Sequence, residues 1–537
     1  MKQHRTAPDP TLRTSSFGIR ARRRALLLAP VTVAVCALLA ACTASTSLSG
    51  ESASPAPSAR QILRVGLSNE PPPVVVGADI GGAGYSLDAL IARGLMLWDS
   101  NGKVVPALAK TAKTIDTKTY QFTLRSGLKF NDGSPLTADN VKDTLLYLRQ
   151  SKNAARTLKG MSNIETIDAR GDQVTVHLKT GDPDFLQYLA DPTAFIAPKS
   201  SLVGNVIAYV GDGPFMVKDM QKGVKMTLVK NPHFYDASSV KLKEIELVYY
   251  PDDQARTNAI TSGEVNLIDY VPWSSFAAIQ STSNLTLDAV FGPMMDIEFN
   301  VTKGPFANPL VRQAVAYAAN RENVIKAAFF GNAKPNYGIP LGSTSPYYTK
   351  ANQNLWSYDP GKAKKLLAQA GYPNGFSATL LTTSQYLFHQ DTALSIQADL
   401  KKIGIDVTLK NPDWATRQQA STSGAYDVKI NGWSGIVTSP AYIEAQLGGP
   451  NVAKSYDYNN PDLAAALARG RTGTTDAERK AGYAKAFALM QSDVPFVPLA
   501  QREQGFAFDS KVKGFKNIPG FASFYSFYTV ASTYIAG

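Results

Sequence analysis

Residues that carry out covalent chemistry are scarce and scattered. Only four histidines occur in 537 residues, at positions 4, 177, 233 and 389. None stands at His-x-x-x-His or Glu-paired spacing, which leaves a zinc hydrolase without ligands. His177 falls inside the alternating run Val174-Thr175-Val176-His177-Leu178 and reads as a strand-surface residue. No Gly-x-Ser-x-Gly is present: Gly432-Trp433-Ser434-Gly435 lacks the pattern, and no histidine follows it to act as base. Gly81-Gly82-Ala83-Gly84 has no Lys-Ser/Thr pair after it and reads as a loop, not a phosphate cradle. No carboxylate pair stands out for acid–base work. The sequence thus points away from an enzyme and implies neither cofactor nor metal.

Cysteine is also nearly absent. Cys36 and Cys42 are the only two; Cys36 lies within the N-terminal apolar run and Cys42 just after its end. The body therefore has no disulfide and must be held by its core alone. A basic stripe is missing as well. Of the net charge of +12, half sits in residues 1–41, where Lys2, Arg5, Arg13, Arg20, Arg22, Arg23 and Arg24 face Asp9 alone. The remainder holds 48 basic and 42 acidic residues, a mild bias that excludes nucleic acid as the expected partner.

What is present begins with a targeting segment. The Arg cluster leads into an apolar run from Ala25 to Ala41 that is too short, and too broken by Pro30, for a spanning helix. It ends in Leu39-Ala40-Ala41-Cys42, which resembles the bacterial lipobox, with Cys42 as the lipid attachment site and residues 1–41 as the signal peptide. Arg23-Arg24 leaves both the general and the twin-arginine export routes open. Residues 42–60, rich in Ser, Ala and Pro, read as a flexible tether reaching roughly 25 Å. The expected location is extracytoplasmic, anchored to the membrane by lipid.

The body is too long for one core. Ile62–Leu67 reads as an opening strand, residues 77–84 as a Gly-rich loop, and Leu87 to Leu97 as a helix. Tyr120–Arg125 alternates as a strand, and Thr137 opens a helix to about Gln150. Just past the midpoint, Met295-Asp296-Ile297-Glu298-Phe299 alternates in polarity. Asn308 as N-cap and Pro309 as first helical residue then start a helix whose apolar face is Leu310, Val311, Ala314, Val315 and Ala318. Ala425–Asn431 reads as a further strand. Asp493–Leu499 is strand-like and flanked by prolines, a late return crossing.

Six fragments occur in order: PALAK at 106–110, FTLRSGLKFNDGSPLTADNV at 122–141, GDGPFMVKD at 211–219, KNPHFYD at 230–236, YYPDDQARTNAITSGEVNLID at 249–269 and FANPLVRQAVAYAANRENVI at 306–325. Together they resemble the family 5 extracellular solute-binding proteins, which serve ABC importers of peptides and nickel. The resemblance covers about residues 60–537. It implies an α/β, two-lobed, periplasmic-binding-protein-like (type II) fold with an extra subdomain in the first lobe. Lobe I would be 60–95, 190–290 and 496–537, the inserted subdomain 96–189 and lobe II 296–492, with a hinge at Met294 and Met295. It also implies partners: an ABC permease with its ATPase, and a small solute or peptide bound by a monomer. A surface receptor without transport is the other reading.

The expected site lies between the lobes, where Trp433, Ser434 and Ile436 follow the strand 425–431. In peptide-binding relatives this loop runs Gly-Trp-x-x-Asp-x-x-x-Pro, its Asp pairing the ligand's amino terminus; here Ile436 stands at that position. An arginine for the ligand carboxylate would fall near Thr383, and none occurs between 376 and 395. A buried ammonium without a carboxylate partner is disfavoured, so a zwitterionic dipeptide is a poor fit. Trp433, Trp414, Tyr386 and Phe388 are the candidate stacking surfaces and Tyr85 the opposing wall, with core packing as the other role for each. An aromatic, low-charge cleft suits a neutral ligand: an oligosaccharide, a capped or apolar peptide or a secondary metabolite, with longer backbone-held peptides also open. Replacing Ile436→Asp is expected to raise affinity for free-amine peptides in a calorimetric titration; no gain would mean that the loop aligns differently.

Overall fold

The computed structural model describes residues 58, 60–78, 81–150, 157–202, 209–343, 345–433, 440, 443–444 and 455–537. Cys42, the leader, most of the tether, Ser434 and Ile436 lie outside these, as does the side chain of Trp433. Among the described residues no helix is long and apolar enough to cross a membrane.

One sheet of eleven strands organises the chain. Its strands are β1 (Ile62–Leu67), β2 (Phe215–Gln221), β3 (Lys225–Lys230), β4 (Glu244–Tyr249), β5 (Leu267–Ile268) and β6 (Leu285–Phe299). They continue with β7 (Ala333–Pro335), β8 (Phe376–Leu381), β9 (Ile405–Lys410), β10 (Val428–Trp433) and β11 (Val497–Asp509). The spatial order is β9-β8-β10-β6-β11-β5-β1-β4-β3-β2, with β7 on β11. Strands from the first half of the chain thus lie on one side and β8–β10 on the other. The long antiparallel pair β6 and β11 joins the two groups.

That pair is interrupted at two points. Its register shifts between Phe291 and Met294, and again between Met295 and Asp296. The first is a bulge at Gly292-Pro293, where proline has no N–H to give to the ladder. A Cβ on Gly292 would lie 2.2 Å from the Gly520 carbonyl oxygen, so only glycine permits this approach.

Two main cores form, and the first also takes in Leu463, Tyr483 and Phe487 from late in the chain. Leu63, Val65, Leu90, Phe215 and Leu247 belong to the first, together with residues of a separate four-stranded sheet, Ala109–Asp116, Thr119–Leu124, Ile164–Arg170 and Gln173–Leu178. Met295, Ile297, Val311, Val315, Ile396 and Leu499 belong to the second. His177 lies on that small sheet, part-exposed and 3.6 Å from Asp168, as a strand-surface residue does.

Helix α1 (Gly81–Ile91) starts inside the glycine run that the sequence assigns to a loop, and it stops short of Leu95 and Leu97. Leu97 pairs instead with Val105 in a short hairpin. Gly94 marks the change: a Cβ there would sit 2.7 Å from the Leu189 carbonyl oxygen. The cap at Asn308 is as the sequence predicts. Its side chain accepts from Leu310 N at 2.9 Å, and α2 (Pro309–Ala318) buries Val311, Ala314, Val315 and Ala318 while Leu310 is half-buried.

The return crossing begins later than expected. Asp493 closes a helix, Asp476–Asp493, and Val494 takes a left-handed conformation with φ of 48° before β11 starts. Arg312 fixes this corner. It donates to the Asp493 carbonyl at 2.9 Å, Val494 O at 3.1 Å, Phe306 O at 2.9 Å and Ala307 O at 3.0 Å, and pairs with the Asp493 carboxylate at 2.7 Å. Arg312→Met would leave these acceptors unmet and is expected to cost about 3 kcal/mol, read from the urea midpoint. A loss under about 1 kcal/mol would contradict this role.

Candidate ligand site

The alternation of Met295 to Phe299 does not mark a wet face, because every residue from Met294 to Phe299 is buried. β6 lies between β10 and β11, so both its edges are paired, and the burial of successive side chains means that both faces are covered as well. Asp296 and Glu298 are therefore buried carboxylates opposite Asn431 and Lys429 of β10. Glu298 pairs with the Lys429 ammonium at 2.8 Å and accepts from Asn431 Nδ2 at 3.0 Å. Arg417 continues the chain of contacts, donating to Asn431 Oδ1 at 2.9 Å and to the Ile430 carbonyl at 2.6 Å. Burial lowers the Lys429 ammonium and brings Arg417 down to about 10, with Glu298 opposing both shifts.

Beside these charges the two strand groups meet in a cluster of rings. Tyr270 and Trp273 follow β5. Tyr386 and Phe388 stand at the start of α3 (Leu387–Lys402), and Trp414 opens α4 (Trp414–Ser423). Tyr386 stacks on Tyr270 at 6.5 Å and meets Trp414 edge-on at 5.2 Å. Trp273 meets Phe388 at 5.2 Å and donates its indole N–H to the Glu503 carbonyl of β11 at 2.8 Å. Asn69, just past β1, donates to the Tyr386 hydroxyl at 2.7 Å and accepts from Gln385 at 2.9 Å. These bonds tie the first strand group to the second.

Of the residues the sequence nominates, Tyr386, Phe388 and Trp414 come together here. Tyr85 lies elsewhere: it is 4% exposed and packs edge-on against Tyr525, because α1 buries every residue from Ala83 to Ile91. Tyr270, Trp273, His389, Arg417 and Arg502 are part of the cluster and were not singled out by sequence. The expectation of a low-charge cleft is corrected by the two arginines. His389 itself is neutral, since burial together with Arg417 and Arg502 pushes its imidazole well below the usual range.

The rings enclose a hollow of only about 30 Å³, lined by Ser68, Tyr270, Trp273, Gln385, Tyr386 and Phe388 among others. An open surface depression along Gln418, Gln419, Thr422 and Ser423 touches none of these rings. Rings and polar groups at the meeting of two strand groups are what a solute cleft needs.

The family model for bacterial extracellular solute-binding proteins, family 5, matches residues 103–454. The chain belongs to that family. It is 29% identical over 461 residues to the glutathione-binding protein GsiB of Pectobacterium atrosepticum, covering 81% of this chain and 88% of that protein. Among solved structures, the periplasmic binding protein AgaA of A. tumefaciens R10, in complex with agropinic acid, superposes with a TM-score of 0.83 at 35% identity, covering 89% of this chain and 99% of AgaA. DppA of Helicobacter pylori, in complex with the peptide STSA, gives 0.78 at 25% identity, covering 89% and 98%. The mixed α/β architecture is thus that of the family 5 type II binding proteins. Proteins of this family capture solutes outside the cytoplasm for an ABC permease and its ATPase.

In this family 5 chain one buried carboxyl beside the ring cluster, that of Asp269, is raised well above the ordinary carboxylate range. Asp269 accepts from Ser68 N at 2.7 Å and from its hydroxyl at 3.2 Å. Burial nevertheless raises it to about 6, against the pull of Arg256. Its folded pKa lies above the unfolded value, so the stability it confers is complete below about pH 4 and is lost as pH rises through about 6. Asp269→Asn is expected to flatten this dependence in urea unfolding between pH 4.5 and 7.5. An unchanged slope would place the titration elsewhere.

Proposed function

We propose that the protein is the lipid-anchored solute receptor of an ABC import system. Cys42 carries the anchor, residues 43–60 the tether, and the body closes by a hinge on a solute that it hands to the permease. Lobe I comprises 60–95, 190–290 and 496–537, the subdomain 96–189 and lobe II 296–492. The single observation that carries this reading is the ring cluster at the meeting of the two strand groups, in a chain whose family membership spans 103–454. Tyr386, Phe388, Trp414, Tyr270 and Trp273 form the stacking walls, and Trp433, Ser434 and Ile436 are proposed as further ligand contacts.

Closure is supported by the bridge from Asn69 to Tyr386 and Gln385 and by the small hollow beneath it. Admission of a solute larger than a few atoms requires these contacts to part, and the interrupted β6–β11 pair is the place for that motion. The solute is peptide-like or amino-acid-derived, with glutathione and agropinic acid as first trial ligands from the relatives named above.

Native mass spectrometry of the protein purified from its own cell is expected to show one bound solute, displaced on mild unfolding. A uniformly empty protein that also ignores peptides, glutathione and agropinic acid would overturn the reading. For the anchor, Cys42→Ser should move the protein from the membrane fraction to the soluble exported fraction; retention in the membrane would contradict it.

A further inference from the structure

Six arginines of the described residues are almost wholly buried: Arg93, Arg256, Arg312, Arg321, Arg417 and Arg502. A buried guanidinium has to give its N–H groups to acceptors, or the cost of leaving water is not recovered. Five of the six grip backbone carbonyls. Arg93 donates to Ala89 O and Ala92 O, and Arg256 to Asp269 O, Tyr250 O and Tyr270 O. Arg312 holds the corner at Asp493 and Arg417 holds Ile430 O. Arg321 donates to Asn336 O, Pro498 O, Ala316 O, Ala319 O and Trp356 O.

Arg502 differs. It is 3% exposed, its Nη1 donates to Gln504 Oε1 at 2.5 Å, and the Tyr270 side chain is its other polar neighbour. Its Nε has no partner, and among the described residues it makes no ion pair with a carboxylate. The acidic groups of the neighbouring β6–β10 pair do not compensate it: Glu298 is taken up by Lys429 and Asn431, and both Glu298 and Asp296 act on Arg417.

The backbone around Arg502 is irregular. Glu503 pairs with Phe291 and Gln501 with Met294, so Arg502 stands opposite the Gly292-Pro293 bulge, where an extra residue re-aims neighbouring side chains. The guanidinium lies over three rings of the cleft: Phe388 at 4.8 Å, Trp273 at 5.3 Å and Tyr270 at 5.8 Å. Ring faces attract the cation and offset part of its desolvation, but they accept no directed N–H bond from its edge. Tyr270 itself is held at φ of 42°, a strained conformation for a bulky residue and one that marks functional clamps.

We propose that Arg502 is the anchor for a carboxylate of the captured solute, which makes the ligand class an organic acid with an apolar or flat body lying against Trp273 and Phe388. This rests on the binding-protein reading above. A planar carboxylate meets the free edge of a guanidinium with paired, charge-assisted bonds. The site needs no ligand ammonium, so N-substituted acids are admitted.

The test uses N-acetyl-phenylalanine and its carboxamide, titrated against the whole exported protein by tryptophan fluorescence. The acid is expected to bind about tenfold or more tighter than the amide, because a hydrogen bond to a charged partner carries that factor. Arg502→Gln should remove the preference by weakening the acid alone, and Arg502→Lys should restore part of it. Equal binding of acid and amide by the unmodified protein, or an unchanged preference in Arg502→Gln, would overturn the proposal. As a control on folding, Arg502→Met should unfold, without ligand, at the same or a higher temperature. A clear fall would assign Arg502 to structure and would also overturn the proposal. If native mass spectrometry shows a bound neutral solute that Arg502→Gln retains, the carboxylate site fails while the binding-protein reading stands.

Discussion

Everything in this protein depends on how one antiparallel pair, β6 and β11, carries a single sheet from one strand group to the other. A continuous ladder would make the two groups one rigid slab. Here the ladder breaks at Gly292-Pro293 and shifts again after Met295. Pro293 has no donor, and Gly292 yields space to the Gly520 carbonyl. The backbone is thus weakened at the point where the ring cluster and Arg502 lie. Joining the groups and placing the site are consequences of the same interruption.

Buried charge explains why the second core is built as it is. Hydrophobic residues alone would pack Met295 to Phe299, yet Asp296 and Glu298 sit inside with Lys429 and Arg417. Breaking such a set by removing one member leaves an uncompensated charge, so it fixes the register of β6 against β10 strongly. A shift of one residue would place Glu298 against an apolar neighbour and strand Lys429. The register in turn sets where β10 delivers Trp433, opposite Met294 at the break.

What was legible in the sequence was local chemistry. Asn308 before Pro309 names a helix start with no tertiary help, and the structure places both as read. Asp413, not singled out from the sequence, caps α4 in the same way and so presents Trp414. Elements governed by distant contacts were not legible. The helix expected to reach Leu97 ends at Ile91, because Gly94 must pass the Leu189 carbonyl, and the strand expected from Asp493 waits for Val497, because Arg312 holds the preceding turn. The site divides in the same way. Tyr386, Phe388 and Trp414 belong to one strand group and were read together, while Tyr270 and Trp273 reach them only through the sheet. Arg417 could have been found: one turn after Trp414, its guanidinium lies 4.7 Å over that ring. Arg502 carries no such signal, since its meaning is the acceptors it lacks, and only the folded neighbourhood shows them.

The central claim is that the β6–β11 interruption is a hinge and that the cleft closes on its solute. Small-angle X-ray scattering on the protein stripped of ligand, and again after returning the solute extracted from it, tests this most directly. The account predicts a smaller radius of gyration with solute, reversed on stripping. An unchanged radius at saturating solute would contradict it.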